Sequence, residues 1–380
     1  MTLGAAPGFG VYVHWPYCAR ICPYCDFNVV RDRGRTAEKA GLARAIIADL
    51  TRTAALTGPR PLTSIFFGGG TPSLMDPAAT ARIIAATRAL WSPAADLEIT
   101  LEANPTDAEA SRFDAFAAAG VNRLSLGVQS LDDQALIALG RNHDARAARN
   151  AIAIAQRAFA RVSIDLIYAR PGQDLGAWAD ELRAVAATGV EHISAYQLTI
   201  EDGTAFHRAV RRGALTPLAA DPAADAYDVA QRVLEDAGFE AYEVSNHARS
   251  AAARSRHNLT YWRGGDYAGV GPGAHGRLTV AGERRATFAP RSVAGYVGGI
   301  GALCEPMTLR DQAIERLLMG LRTHEGVDWS ELAPLRIPAT KLADLEGFVD
   351  LTGGRLIVTR RGRPVLDHLV GELATCAARV

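Results

Sequence analysis

Residues 12–27 read Tyr-Val-His-Trp-Pro-Tyr-Cys-Ala-Arg-Ile-Cys-Pro-Tyr-Cys-Asp-Phe. Three of the chain's five cysteines, Cys18, Cys22 and Cys25, fall here in the spacing C-x3-C-x2-C. Such tight spacing gathers three thiolates around one point, and thiolates are soft ligands that suit iron–sulfur clusters, zinc or Cu(I). A [4Fe-4S] cube ordinarily takes four cysteines, so three leave one iron without a protein ligand and open to chemistry. The same cysteines with His14 also make a Cys3His set of the kind structural zinc accepts. A disulfide framework belongs to small secreted chains; this chain has 380 residues.

Outward from that stretch, composition narrows the class. Apolar residues make up 48% of the chain, enough for a sizeable core and against global disorder. The 41 basic and 41 acidic residues cancel, so no bulk positive field argues for nucleic acid. Only Lys39 and Lys341 are lysines; the abundance of Ala and Arg is read as a compositional bias of the source genome. The first residues, Met-Thr-Leu-Gly-Ala-Ala-Pro-Gly, lack the basic and apolar regions of a signal peptide. No apolar run reaches about 18 residues, so the expectation is a soluble, cytoplasmic protein with reduced thiols. Cys304 and Cys376 stand alone and are read as structural.

From Val11 to about Gly238, strand patterns alternate with helix patterns. Strands are expected at 11–15, 64–67, 97–101, 123–128, 162–167 and 192–198. Helical periodicity runs between them: 36–56 with Leu42, Ile46 and Leu50 on one face, then 77–91 opening on Asp76-Pro77. Thr106 and Glu109 form a capping-box pattern, with Gly120 as a stop. Further helical stretches cover 132–159 (broken near Gly140) and 175–187, and one opens on Asp221-Pro222. Six β-then-α units imply a parallel sheet with right-handed crossovers, either a partial barrel or a flat doubly wound sheet.

The informative polar residues collect at the carboxyl ends of these strands, where parallel α/β folds place their sites. The cysteines follow strand one and Gly68-Gly69-Gly70-Thr71-Pro72 follows strand two. Glu102 ends strand three, Gln129 strand four and Gln197 strand six; Asp165 lies in strand five. Singly, each has a plainer reading. The glycines could serve only a bend that needs φ > 0, the acids and Gln129 could be satisfied buried groups, and Arg141 could be solvated. Glycines also let backbone N–H and C=O groups approach a ligand closely, which suits a zwitterionic amino-acid group.

The cysteine stretch, with Tyr24 just before the third cysteine, resembles the radical S-adenosylmethionine (SAM) superfamily. The resemblance favours the partial (β/α)6 barrel and implies a [4Fe-4S] cluster on Cys18, Cys22 and Cys25. Its open iron would be chelated by the amino and carboxylate groups of SAM, and the reduced cluster would pass an electron to the sulfonium and break a C–S bond. In the same terms Gly69, Gly70 and Thr71 match the motif that holds the SAM methionine moiety. Glu102, Gln129, Arg141 and Asp165 match SAM-contacting positions of the porphyrin-related branch, and Tyr12 and Tyr24 match aromatic positions near cluster and cofactor.

Beyond about Phe239 the alternation stops. His257-Asn258-Leu-Thr-Tyr261-Trp262 is followed by Gly-Gly-Asp-Tyr and by Gly271-Pro-Gly-Ala-His-Gly276. Taken alone, His257 reads as a hydrogen-bonded structural histidine rather than a ligand. This block resembles the HemW-type haem chaperones, whose relatives are the oxygen-independent coproporphyrinogen III oxidases. It implies haem contact by His257, Asn258, Tyr261 and Trp262; imidazole is a common axial ligand and aromatic rings pack on porphyrin faces. No C-x-x-C-H motif for covalent haem is present.

The expected organisation is an α/β protein: a partial barrel over 1–240, a haem-associated connecting segment over 241–306, and a small α+β domain over 307–380. The last is read as a lid or docking unit with helices at 310–321 and 341–351, then a strand, a tight turn and a helix. A winged-helix reading with Arg360, Arg361 and Arg363 on the wing is disfavoured because no basic stripe accompanies it. Two functions follow from the resemblance, a chaperone that binds haem and passes it to an acceptor haem protein, and an oxidase that decarboxylates two propionates of coproporphyrinogen III. The oxidases carry a fourth cysteine two residues past the third and a longer segment before the cysteines. Here that position is Phe27, and 17 residues precede Cys18; both favour the chaperone. The resemblance also implies an electron donor for the cluster, and it allows a cluster-dependent homodimer and a membrane-bound acceptor.

Overall fold

The structure is a computed structural model that describes residues 8–107 and 110–375. Six strands pair in parallel in chain order: β1 (Phe9–Trp15), β2 (Pro61–Gly69), β3 (Ser92–Ala103), β4 (Arg123–Gln129), β5 (Arg161–Tyr168) and β6 (His192–Gln197). The helices between them are α1 (Thr36–Thr57), α2 (Pro77–Leu90), α3 (Ala110–Ala118), α4 (Asp133–Ala138), α5 (Ala145–Ala158) and α6 (Leu175–Ala186). Next come α7 (Ala205–Arg211) and α8 (Ala220–Asp236). This is the partial (β/α)6 barrel expected from the sequence.

The strands sort their side chains by the period of two that a pleated backbone imposes. Val11, Val13, Ile65, Phe67, Leu101, Leu124, Leu126, Ile164 and Leu166 lie in the core with no more than trace exposure. The alternate positions Tyr12, Thr100, Glu102, Ser125, Ser163, Asp165 and Ser194 line a cavity instead. Small and polar side chains on that face leave the barrel hollow, where large branched residues would have filled it.

Aspartates start four of the barrel helices. Asp76, Asp132, Asp144 and Asp174 each accept a backbone N–H from the first turn. The expected opening of α8 on Asp221-Pro222 is corrected: the helix begins at Ala220, capped by Ala219 without a side-chain bond, so Asp221 lies inside the first turn. There a carboxylate still complements the helix dipole. Of the Thr106–Glu109 box, Glu109 lies outside the described residues, as does Cys376.

The sheet is longer than six strands. On the β6 side, β7 (Glu240–Ala241) and β8 (Asn246–Ala248) add antiparallel in the order β6-β8-β7. On the other side β9 (Tyr267–Val270) pairs parallel with β1, and β10 (His275–Val280), β11 (Glu283–Phe288) and β12 (Leu303–Pro306) follow antiparallel. Strand β1, which carries the cysteine loop, is therefore held on both sides.

A second core forms at the C-terminal end from the helix Leu309–Gly320, the helix Leu366–Thr375 and a three-stranded sheet. That sheet comprises β13 (Val327–Asp328), β14 (Val349–Thr352) and β15 (Arg355–Val358) in the order β13-β15-β14. The helix expected at 341–351 is instead Ala339–Asp344 followed by β14, because Gly347 at φ 81° turns the chain. The wing arginines are engaged elsewhere. Arg360 pairs with Glu235 at 3.6 Å, Arg361 lies 4.4 Å over the Phe348 ring, and Arg363 is turned inward. Leu317 is fully buried in this core. Leu317→Ala is expected to lower stability by about 2–5 kcal/mol, measured by chemical denaturation followed through near-UV circular dichroism.

Candidate functional site

A cavity of about 510 Å³ occupies the barrel interior and opens at the carboxyl ends of the strands. Every residue singled out from the sequence for cluster or SAM lines it: Cys18, Cys22, Cys25, Tyr12, Tyr24, Gly69, Gly70, Thr71, Glu102, Gln129, Arg141 and Asp165. His257, Asn258 and Tyr261 line it too. Trp262 is not among its walls; it packs with Tyr242, Ala248 and Ala253 in a small separate cluster.

Backbone contacts set the cysteine loop. Gly70 N–H donates to Trp15 O and Thr71 N–H to Tyr17 O, both at 2.8 Å, which ties the glycine turn to the chain entering the loop. A Cβ on Gly70 would stand 2.7 Å from the Pro16 carbonyl carbon, so only glycine allows this approach. Gly69 sits at φ 104° against the His14 ring. The far end of the loop is tied by Asn28, whose amide donates to Pro272 O and Arg291 O at 2.9 Å each. The Gly271–Gly276 segment thus serves as a base for the cysteine loop, and Gly273 leaves room for the Asn28 side chain.

His14 has other partners than the thiols. Its Nδ1 meets the Tyr12 hydroxyl at 3.0 Å and its Nε2 the Asn28 carbonyl at 2.9 Å, which removes it from a Cys3His zinc set. The three thiols are free. Among the described residues no three His, Cys, Asp or Glu side chains close around one ion. A cluster offers a separate iron to each thiolate and so spreads its ligands wider than a single ion does. Arg141 approaches Cys22 Sγ at 3.2 Å and the Tyr24 hydroxyl at 3.5 Å, and donates to Asn104 Oδ1 at 2.6 Å and Gly127 O at 2.8 Å. It is a half-buried tie between loop and barrel, not a solvated side chain. Burial pushes the Cys18 thiol up to about 11, opposed by the Thr71 hydroxyl. A thiol that resists losing its proton to water is one that a metal must deprotonate on binding. The donor set and the glycine cradle fit a cluster carried on this loop.

Two carboxylates stand deeper. Glu102 accepts Gly69 N–H at 3.2 Å, and Asp165 accepts the Ser125 hydroxyl at 2.9 Å. Burial, with Asp165 as the next cause, pushes Glu102 up to about 8; burial raises Asp165 as well. A cationic group entering the cavity would restore both to their charged forms. Gln129 is held at φ 68° by a bulge in β4, which turns its side chain toward the same space.

The floor is built by α9 (Arg256–Trp262) and the residues before it. Arg123 and Arg161, the first residues of β4 and β5, donate to Ala253 O and Arg254 O, while Glu98 accepts the backbone N–H groups of Arg256 and His257. Glu98 is fully buried and pairs with Arg161 at 2.9 Å. His257 therefore closes the amino end of the barrel, opposite the cysteine rim. Its Nδ1 meets Ser64 Oγ at 3.1 Å, its Nε2 meets the Tyr261 hydroxyl, and its ring stacks on Phe66 with centroids 4.8 Å apart. Burial lowers its pKa to about 3, so it is neutral. The cavity's lining ends at Tyr261, so among the described residues none of the C-terminal unit lines it. Asn104 was missed in the sequence. It bridges Arg141 and, at 3.1 Å, Thr71 Oγ1, and its signal was its place two residues after Glu102 at the same strand end.

A family model described as the Radical SAM superfamily matches residues 12–185. Radical S-adenosyl methionine domain-containing protein 1, mitochondrial, of Bos taurus is 44% identical over 346 residues, 87% of this chain and 78% of that protein. The heme chaperone HemW of Mycobacterium tuberculosis is 35% identical over 98% of this chain and 96% of its own length. HemW of Escherichia coli is 39% identical over 72% of this chain and 71% of its own. The chain belongs to the HemW family of radical SAM proteins. Its fold also matches the solved coproporphyrinogen III oxidase (HemN) of Escherichia coli, with a TM-score of 0.79, 22% identity and coverage of 97% of this chain and 90% of that one. Radical SAM membership accounts for three cysteines rather than four on the HemW-family loop, since the superfamily implies a [4Fe-4S] cluster and SAM. Among the described residues no helix is long and apolar enough to cross a membrane.

The Glu102 carboxyl sets a pH dependence. With its folded pKa raised from 4.5 to about 8, the folded chain keeps a proton that the unfolded chain gives up. The stabilisation is complete below the unfolded value and is lost as pH rises through that window. Denaturation midpoints of the ligand-free protein are expected to fall between pH 5 and pH 8, and Glu102→Gln is expected to flatten that slope. Parallel slopes in the two proteins would show that Glu102 is not the group responsible.

Proposed function

We propose that this HemW-family protein is a cytoplasmic haem chaperone, which binds haem and passes it to an acceptor haem protein with a [4Fe-4S] cluster and SAM in support. The observation that carries the choice of chaperone over oxidase is Phe27. It stands where the oxidases resemble one another in a fourth cysteine, and its ring is 63% exposed at the cavity mouth. A phenyl ring cannot ligate iron, whereas an exposed apolar ring suits a haem protein or a haem face. The 35% identity over 98% of the chain with a protein named heme chaperone HemW supports the same reading.

In this reading Cys18, Cys22 and Cys25 would hold the cluster, which when bound and reduced would supply one-electron chemistry to SAM. Gly69, Gly70 and Thr71 accommodate the methionine moiety by close backbone approach. Glu102 accepts from its ammonium, Asp165 and Gln129 serve the ribose, and Arg141 steadies Cys22 and the loop. Tyr12 and Tyr24 wall the space. His257, Asn258 and Tyr261 are proposed to contact haem from the floor, with Trp262 supporting α9 from behind. For iron to reach His257 Nε2, the Tyr261 hydroxyl must release it. Residues 241–306 supply this floor and the base of the cysteine loop, and residues 307–380 form the accessory unit. An electron donor and a homodimer complete the proposed set of partners, with no nucleic acid among them.

Two experiments test it. Cys22→Ala is expected to lose the brown cluster absorbance and weaken SAM binding while remaining folded; retained absorbance would remove Cys22 from the ligand set. The second is anaerobic turnover of the reconstituted protein with SAM, a strong reductant and coproporphyrinogen III, alongside haem titration of wild type and His257→Ala. The chaperone reading expects no protoporphyrinogen, saturable haem binding, and an altered haem spectrum in the variant. Product in stoichiometric excess would make the protein an oxidase.

A further inference from the structure

A second cavity of about 320 Å³ lies between α8 and the C-terminal unit, away from the cysteine rim. The inner wall is made by Tyr227 and Gln231 of α8 and by His324 and Arg363. Arg363 is only 9% exposed; its guanidinium lies within hydrogen-bonding reach of the Tyr227 hydroxyl, and among the described residues no carboxylate forms an ion pair with it. Glu243 acts on it from a distance. The Glu243 oxygens are already taken by Arg322, by Ser245 N–H and by the Asn246 amide. The Tyr227 hydroxyl, on a residue 6% exposed, is buried with the Arg363 guanidinium as its polar neighbour. It is close enough to Arg363 for the two to influence each other's ionisation. His324 is neutral, held down by burial and by Arg363.

The other charges at the cavity are accounted for. Arg360 pairs with Glu235 at 3.6 Å, and Glu240 pairs with Arg254 at 2.9 Å. Asp228 is exposed on α8 and marks the outer side. What remains at the inner wall is one cation without a paired carboxylate, the hydroxyl beside it and one neutral imidazole. A buried guanidinium without a paired counter-charge is costly, and an apolar side chain of similar volume would serve packing better. A guanidinium is also the side chain best shaped for a planar carboxylate or a phosphate.

We propose that this cavity binds a small anionic group, a carboxylate or a phosphate, on Arg363 with Tyr227 and His324. The cavity volume of about 320 Å³ limits the ligand to a small anion or to an anionic group on a small molecule. The walls come from the two separate cores, α8 with the barrel and Arg363 with the C-terminal unit. A bound anion therefore ties one to the other. This inference stands apart from the haem reading.

The test uses the full-length protein at pH 7 and constant ionic strength, titrated with inorganic phosphate in one arm and succinate in the other, and followed by calorimetry. Saturable binding of at least one is expected. Phosphate alone identifies a tetrahedral oxyanion site, and succinate alone or both identifies a carboxylate site. Arg363→Met and Tyr227→Phe are each expected to raise the dissociation constant at least about tenfold, the loss of one charge-assisted hydrogen bond, with SAM binding unchanged. If Arg363→Met fails to fold, Tyr227→Phe keeps the test intact. No saturable binding in the wild type, or equal binding in the variants, would overturn the proposal and leave the cavity as hydrated space.

Discussion

Two backbone hydrogen bonds, Gly70 N–H to Trp15 O and Thr71 N–H to Tyr17 O, decide where the thiols stand. They join the end of β2 to the chain leaving β1, so the cysteine loop starts from a fixed point rather than a free strand end. A side chain at position 70 would push the two apart. The rest of the rim depends on this approach. Glu102 reaches Gly69 only because the glycine turn is drawn in. Thr71 then stands between Cys18 and Asn104, and Asn104 passes the constraint to Arg141 and on to Cys22.

The barrel interior carries the corresponding cost. Glu98, Glu102, Asp165, Arg123, His192 and His257 are all buried there, where an apolar filling would be more stable. The structure meets the cost differently at its two ends. At the floor one Glu98 oxygen accepts two N–H groups at the start of α9 and the other is paired with Arg161. Near the rim Glu102 has one backbone donor, and its pKa is raised by burial. The well is thus finished below and unfinished above, the arrangement expected when a cationic ligand completes it.

Local chemistry made much of this legible. The C-x3-C-x2-C spacing, the triple glycine and the acids at strand ends are short-range patterns, and the structure puts all of them on one cavity. Helix starts were legible wherever an aspartate meets the first-turn N–H groups, as at Asp76. The failures have physical reasons. Arg141 could be read as solvated because its partners, Cys22, Asn104 and Gly127, are 119, 37 and 14 residues away. The stretch 341–351 has helical composition, but one glycine in the left-handed region ends the helix and starts a strand. His257 was read both as a haem contact and as a structural histidine, and only its partners Ser64 and Tyr261 put it on the floor.

By itself the sequence determined the βα alternation, the ligand set on one loop and the side of the sheet on which chemistry collects. These follow from side-chain periodicity and from the rule that parallel strands all point one way. Only the tertiary structure decided that β9 pairs with β1, that α9 closes the barrel from below, and that Arg363 turns inward to a second cavity. Each of those rests on contacts between residues far apart in the chain. Their free energy depends on which surfaces are left to bury once the local elements have formed, and no local window of sequence contains that information.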